Sequence, residues 1–331
     1  SRAWRNQSLG PIVKYLEYSL KVWRRAGEFP ADIYHANDAN TLPAAWLAAK
    51  RNRARLIYDA HELETGRNWS ATRLASFYKL IHAWPEKIFI HHADAVITVN
   101  HSIANRLVEL YHIPQPIVVM NCPEPGLPYI PSSQRLRQEL QIPGHLKIIL
   151  YQGNINRGRG IEAMIEAVQS IPEATAVILG DGSLLPSLRE RLQKGEFQRV
   201  YLPGKVAPAD LPFYTASADL GVVLIEPSCE SYHLSLPNKF FEYLHAGLPI
   251  IASNNPELAR MMMQVDAGVV VDPYNPVEIR NTIQELLHSP QKLASFRANA
   301  LEAAKKFTWA HERVNLLETY EKTRNSSATK S

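Results

Sequence analysis

The chain has 331 residues, 46% of them hydrophobic and 21% charged, with 36 Lys and Arg against 32 Asp and Glu for a formal net charge of +4. That length exceeds one ordinary core and fits two domains best, while so mild a positive balance excludes the basic clustering of a nucleic-acid binder and still tolerates an anionic ligand. Cys122 and Cys229 lie far apart without C-x-x-C spacing, which argues against a disulfide framework or a structural zinc site and fits a reducing cytoplasm.

A helical pattern over Val13 to Arg25 opens the chain, followed by DIYHAND, the helix-like LPAAWLAAK and ARLIYDAHE. Short apolar runs alternating with helical periods are the βαβ signature of a parallel sheet. The alternation continues through a long helical segment ending near His92, DAVITVN, a helix from Ser102 to Leu110, and PIVVM. NCPEPGLPYIPSS is then too rich in proline for regular structure and reads as a linker over residues 121–133. About four strands precede it, which predicts a first domain, residues 1–120, that lacks an amino-terminal βαβ unit. SRAWRNQSLG also has no initiator methionine, so the sequence predicts a missing amino-terminal segment or subunit. No apolar run nears the roughly eighteen residues of a spanning helix, and residues 1–30 carry charge throughout rather than a signal peptide's apolar centre.

Beyond the linker the pattern restarts: KIILYQG, a helix from Ile161 to Ser170, ATAVILG, a helix from Leu184 to Gln193, RVYLPG, a helix near Leu211, DLGVVLI, SLPNKFFEYLHAGLPIIAS, a helix from Glu257 to Met263, and GVVVD. Continuously apolar strands imply helices on both faces, a doubly wound fold of about six strands over residues 134–307. Further helical segments end in TWAHERVNLLETYEK, residues 308–322, before a polar tail, 323–331, that reads as disordered.

In such sheets ligands gather where strands end. Gly153-Asn154-Ile155-Asn156-Arg157-Gly158-Arg159-Gly160 follows the first strand of the second domain and enters a helix. Glycines permit close backbone approach, two guanidiniums offer forked donors, and a helix amino end favours anions, so the segment suits a phosphate. Read alone, it is equally a glycine-rich turn with two solvated arginines. In SLPNKFFEYLHAGLPIIAS, Pro237 fits the first turn of a helix whose amides would meet a diphosphate, while Glu242 could accept from vicinal hydroxyls. By themselves, Lys239 and Glu242 are more simply a surface ion pair.

Taken in order, GNINRGRGIEAM, ILGDGSLLPSL, RVYLPGKVAPADLPFYTASADLGVVLI, SLPNKFFEYLHAGLPIIAS and TWAHERVNLLETYEK resemble the carboxyl half of retaining GT-B glycosyltransferases of family 4. IYHANDANTLPAAWLA, LIYDAHE and DAVITVNHSIANRL extend the resemblance to the first half. It implies two Rossmann-like domains facing across a cleft, with a nucleotide-sugar donor on the second, a carbohydrate or lipid-linked acceptor on the first, and residues 308–322 crossing back to the first. Gly153, Asn154, Arg157 and Arg159 would line the diphosphate, with Arg159 at the family's usual lysine. Lys239 and the amides near Leu236 would assist, Glu242 would hold the ribose, and Gly204, Lys205 and Val206 would face the base. His61 matches the family's histidine at the cleft edge. Without the resemblance, it is more simply a capping or buried histidine.

Many members carry a second glutamate eight positions before the ribose-binding one, and here that position is Leu234. Sugar recognition would then fall to Ser231, Tyr232, His233, Leu234 or Ser235. No D-x-D occurs, so no metal or other cofactor is implied beyond the donor substrate. The alternatives are a sugar-nucleotide 2-epimerase of the same fold and a truncated noncatalytic subunit. Finally, Arg67 to His92 mixes Trp69, Phe77, Trp84 and Phe89 with Arg67, Arg73, Lys79 and Lys87. Ordinary domain packing explains such a mixture more simply, but it also suits peripheral contact with the inner face of an anionic membrane.

Overall fold

The structure, a computed structural model, describes residues 13, 17–67, 83–124 and 133–325. Most of the expected membrane-facing segment (68–82), most of the expected linker (125–132) and the end of the expected tail (326–331) lie outside the described residues. The described residues fall into two compact units. One comprises the chain up to Met120 with Cys229–Ser231 and the residues from Arg313, and the other comprises Asn121–Ser228 and Tyr232–Glu312.

The first unit is built on β1 (Ile33–Asn37), α1 (Leu42–Asn52), β2 (Arg55–Ala60), β3 (Ala95–Thr98), α2 (His101–Tyr111) and β4 (Ile117–Val118). Its strands are parallel and lie in chain order. α1 carries Pro43 in its first turn, where a missing N–H costs nothing, and Lys50 and Arg51 in its last turn complement the helix dipole. α2 is capped by Asn100, whose side chain accepts from the Ile103 amide at 2.8 Å. PIVVM yields only the two-residue β4, shorter than the expected strand. Cys229–Ser231 groups with this unit because Glu230 accepts from Arg106 Nε at 2.6 Å and Gly66 leaves room for the segment: a Cβ there would lie 2.9 Å from the Ser231 amide.

Beneath this sheet Glu86 is fully buried and accepts from the hydroxyls of Tyr58 (2.7 Å) and Tyr111 (2.8 Å). Burial pushes its carboxyl up to about 7, the two phenols pulling the other way. The folded chain therefore keeps a proton that the unfolded chain, with a glutamate pKa near 4.3, gives up. Stability should accordingly fall as pH rises from about 4.3 to about 7. Glu86→Gln is expected to flatten the pH dependence of the urea midpoint in that window, and a slope unchanged by the substitution would contradict this assignment.

The second unit runs through α3 (Arg135–Glu139), β5 (Lys147–Asn154), α4 (Ile161–Gln169), β6 (Ala174–Asp181), α5 (Leu185–Gln193), β7 (Val200–Gly204), α6 (Leu211–Thr215) and β8 (Leu220–Val223). The chain continues with α7 (Glu230–His233), whose first two residues group with the first unit, α8 (Asn238–His245), β9 (Ile250–Ser253), α9 (Pro256–Val265), β10 (Gly268–Val271), α10 (Pro276–Leu287) and α11 (Pro290–Ala304). α12 (Trp309–Asn325) ends the described chain. The short helices α3 and α7 add to those expected. The strands carry β-branched and aliphatic residues on both faces, and Ile149, Tyr151, Ile178, Leu220 and Val222 form the buried centre. The parallel sheet has the order β10-β9-β8-β5-β6-β7. The chain runs outward from β5 through β6 and β7, then returns to place β8 on the other side of β5. Such a reversal opens a crevice at the carboxyl ends of the two flanking strands. Here it falls after Asn154 and after Val223.

Candidate functional site

Both walls of that crevice are fixed by backbone bonds. The loop after β5 is held on one side by the turn after β6: the Ile155 amide donates to the Asp181 carbonyl (2.8 Å), and Asn156 Oδ1 accepts from the Ser183 amide (2.9 Å). On the other side the Glu226 amide donates to the Gly158 carbonyl at 3.1 Å. Within this frame the Arg159 guanidinium lies over the Tyr232 ring, 4.4 Å from its centroid, and its Nε is buried without a hydrogen-bond acceptor among the described residues. Arg157 is exposed and has no ionic or aromatic partner among the described residues.

α8 supplies the opposing groups. Tyr243 sets its orientation: the ring occupies the space left by Gly221, where a Cβ would lie 2.6 Å from Cδ2, and the hydroxyl donates to the Leu150 carbonyl while accepting from the Gln152 amide, both at 3.2 Å. The helix begins at Asn238, so Pro237 is its N-cap rather than a member of its first turn, and no side chain caps it. Its amino-terminal end keeps the amide character that draws anions. Lys239, the second residue of the helix, is buried with Nζ 3.4 Å from the centroid of the Tyr151 ring. It forms no ion pair with Glu242, contrary to the simpler sequence reading, and makes no hydrogen bond among the described residues. Burial, reinforced by the neighbouring Arg159 charge and opposed by Glu242, holds its ammonium pKa well below the ordinary lysine value.

Glu242 turns instead toward β5. Gln152 Nε2 donates to its Oε2, and Gln152 Oε1 accepts from Thr215 Oγ1 at 2.8 Å. This buried relay fixes which way the amide points and so orients the carboxylate. Gln152, Tyr151 and Thr215 escaped the sequence reading. The available signal was Gln152 itself, a polar side chain at the end of an otherwise apolar strand.

The other expected residues are distributed as follows. Gly153 lies against Lys239, 3.6 Å separating the lysine Cε from the place a Cβ would take, and Asn154 is exposed at the strand end. Gly204 is buried at the end of β7 with φ 89°, followed by exposed Lys205 and half-buried Val206. Tyr232 underlies Arg159, and its carbonyl accepts from Ser235 Oγ at 2.8 Å. His233 is exposed, Leu234 half-buried and Leu236 buried. Ser231 is buried and groups with the first unit, as does His61. The His61 side chain keeps 43% exposure, with Nε2 3.2 Å from Asp59 Oδ2, so it is not a buried core histidine. Phe89 of the aromatic-basic segment packs on Trp46 at 5.0 Å between centroids, whereas Trp84 is exposed. No helix among the described residues is long and apolar enough to cross a membrane.

Two parallel α/β units, one with a cationic, glutamate-bearing crevice at its switch point, are the construction of GT-B glycosyltransferases. The family model of the glycosyl transferases group 1 matches residues 132–303, and that of Glycosyltransferase Family 4 matches residues 2–123. The chain belongs to this family and is a glycosyltransferase of the family-4 type. Among curated relatives, the D-inositol 3-phosphate glycosyltransferase of Thermobispora bispora is 25% identical over 87% of this chain and 70% of its own length. That of Xylanimonas cellulosilytica is 24% identical over 96% and 78%. Among solved structures, Anabaena Alr3699/HepE in complex with UDP-glucose superposes with a TM-score of 0.75 at 21% identity, covering 92% of this chain and 82% of that one.

Proposed function

We propose that the enzyme transfers a hexose from a nucleoside-diphosphate sugar, with retained anomeric configuration, to a carbohydrate or lipid-linked acceptor of the cell envelope. One observation carries the donor assignment: Arg159 and Lys239 are held over aromatic rings at one switch point, with neither cation in an ion pair among the described residues. Stacked, partly dehydrated cations without a carboxylate partner are arranged to receive a polyanion. The names of the relatives and the UDP-glucose in the structural neighbour support a nucleotide sugar.

In this reading the diphosphate lies between Arg159, Lys239 and the amino-terminal end of α8, with Arg157 and the backbone at Gly153 and Asn154 beside it. As the anomeric bond stretches, negative charge grows on the leaving phosphate, and fixed cations stabilise that charge without rearranging. No metal is required for this step. Glu242, aimed by Gln152, accepts from the ribose hydroxyls, and Gly204 to Val206 receive the base. With Leu234 where the family has a glutamate, Ser231, Tyr232, His233 and Ser235 are left to read the sugar. The acceptor hydroxyl attacks from the leaving group's side and its proton passes to a phosphate oxygen, so His61 orients rather than deprotonates. The aromatic-basic segment around Trp84 would bring a lipid-linked acceptor close by peripheral contact with an anionic membrane.

The test pairs a donor screen with one variant. Nucleoside diphosphates and their sugars are titrated against the wild type, and the tightest is compared with its 2′-deoxyribose analogue. A charge-assisted hydrogen bond contributes about 1.5–3 kcal/mol, so the deoxy analogue should bind roughly tenfold to a hundredfold more weakly, and Glu242→Ala should erase that difference. Equal affinity of the wild type for both compounds would sink the ribose assignment. Conversion of one nucleotide sugar into another, with no acceptor present, would instead identify an epimerase.

A further inference from the structure

In the first unit four side chains form a continuous series that ends at His61. Tyr320 on α12 places its hydroxyl 2.6 Å from His35 Nδ1, and the two rings stack with centroids 5.7 Å apart. His35 Nε2 lies 3.3 Å from Asp59 Oδ2, and His61 Nε2 approaches the same oxygen at 3.2 Å. A carboxylate oxygen only accepts, so both imidazoles must present N–H groups at Nε2. In the neutral imidazole, His35 Nδ1 is then an acceptor and the Tyr320 hydroxyl its donor. The backbone is pinned as well: the Asp38 amide donates to the Asp59 carbonyl at 2.9 Å, while Asp38 Oδ1 accepts from the His61 amide at 3.3 Å.

We propose that Asp59, held in place by His35 and Tyr320, is the positioning residue for His61: it occupies Nε2 and leaves Nδ1 as the edge offered to substrate. This rests on the reading of His61 as a substrate-facing group. A carboxylate so placed also favours the imidazolium. The hydrogen bond that His61 donates to Asp59 raises the proton affinity of His61, partial burial opposes this, and the charges of Asp59, Asp38 and Glu62 add to the rise. Glu62 is itself paired with Arg67 at 3.1 Å. Asp59 shows the counterpart: burial would raise its carboxyl, but the bonds from His35 and His61 prevail and hold it at about 2. When protonated and tethered in this way, His61 donates from Nδ1 to a sugar hydroxyl or phosphate oxygen. It does not serve as a base.

Nitrogen-detected imidazole NMR reads this directly, with His61→Gln to assign the signals. In the wild type, His61 should be an Nε2–H tautomer when neutral and titrate above the ordinary value of about 6.5. Asp59→Asn should lower its proton affinity about tenfold or more, since one tenfold step corresponds to a modest change in pairing. Tyr320→Phe should lower it by a smaller factor. In transfer assays with the nucleotide sugar turned over by the wild type, Asp59→Asn should reduce kcat about tenfold to a hundredfold with a nearly unchanged donor KM. Part of that loss should return at acid pH, where His61 is protonated again, a response that a purely structural defect would not give. An Nδ1–H tautomer in the wild type, or Asp59→Asn titration and pH profiles that superimpose on the wild type, would overturn the proposal. Failure of the wild type to turn over any nucleotide sugar would count against the transferase reading alone, and tautomer and titration would then decide the pairing.

Discussion

Lys239→Met is expected to make the enzyme more stable and one to two orders of magnitude weaker for its donor. The two effects have one cause. In the folded chain the lysine amine is buried over Tyr151 with no hydrogen-bond acceptor among the described residues and with Arg159 as a neighbouring like charge. Its pKa is therefore depressed, by burial first and by Arg159 second. In the unfolded chain the same group titrates near 10.4. Between the depressed folded value and about 10.4 the unfolded state binds the extra proton, so in this window wild-type stability rises with pH. Methionine fills a similar volume without a charge to dehydrate, so the replacement should stabilise the fold. The advantage of Lys239→Met should be greatest toward the acid side of the window and vanish near pH 10.4.

Donor binding runs the other way. A diphosphate beside Nζ restores the ammonium, so a nucleotide sugar should bind with proton uptake above the depressed pKa, and its affinity should fall as pH rises there. Calorimetry in buffers of different ionisation heat measures that uptake. Losing a charge-assisted contact of about 1.5–3 kcal/mol accounts for the expected loss of affinity, and the methionine variant should show no uptake from this site. A Lys239→Met protein that melts lower than the wild type yet binds the donor equally well would show that the lysine is a structural group.

The sequence made this lysine visible but not its circumstances. Spacing places Lys239 and Glu242 one helical turn apart, and a surface ion pair is the economical inference from spacing alone. What spacing omits is the depth at which α8 sits, and that is set from elsewhere: Tyr243 can reach the Leu150 carbonyl only because Gly221, distant in sequence, has no side chain. The alternation of apolar runs with helical periods gave both sheets, since periodicity is local. The second sheet's order is not local, yet it places Gly153 opposite α8 and so creates the crevice. The Gln152 relay and the Asp59 bridge between two histidines were likewise hidden, because each joins residues from different strands or helices. Polar residues at strand ends were the trace they left.

Gly180→Ala is expected to cost about 4 kcal/mol or more and to abolish donor binding with the fold. Gly180 stands in register with Gly153 across the β5–β6 ladder, at φ 136°, a conformation costly to any residue with a Cβ. That strain alone is worth about 1–3 kcal/mol. A Cβ would in addition lie 1.8 Å from the Gly153 carbonyl oxygen, and since the obstacle is backbone, only separation of the strands relieves it. Parting them there would loosen the loop that carries Arg159, because that loop hangs from Ile155 and Asn156 on the turn after β6. Gly144 provides the contrast: a Cβ at this position meets nothing within 4 Å and its φ is not positive, so Gly144→Ala should be neutral or stabilise by up to about 1 kcal/mol. Urea unfolding of the two variants measures the difference. A Gly180→Ala protein with a wild-type midpoint would mean that the two strand ends are not held at this separation, and the crevice geometry on which the donor assignment depends would have to be rebuilt.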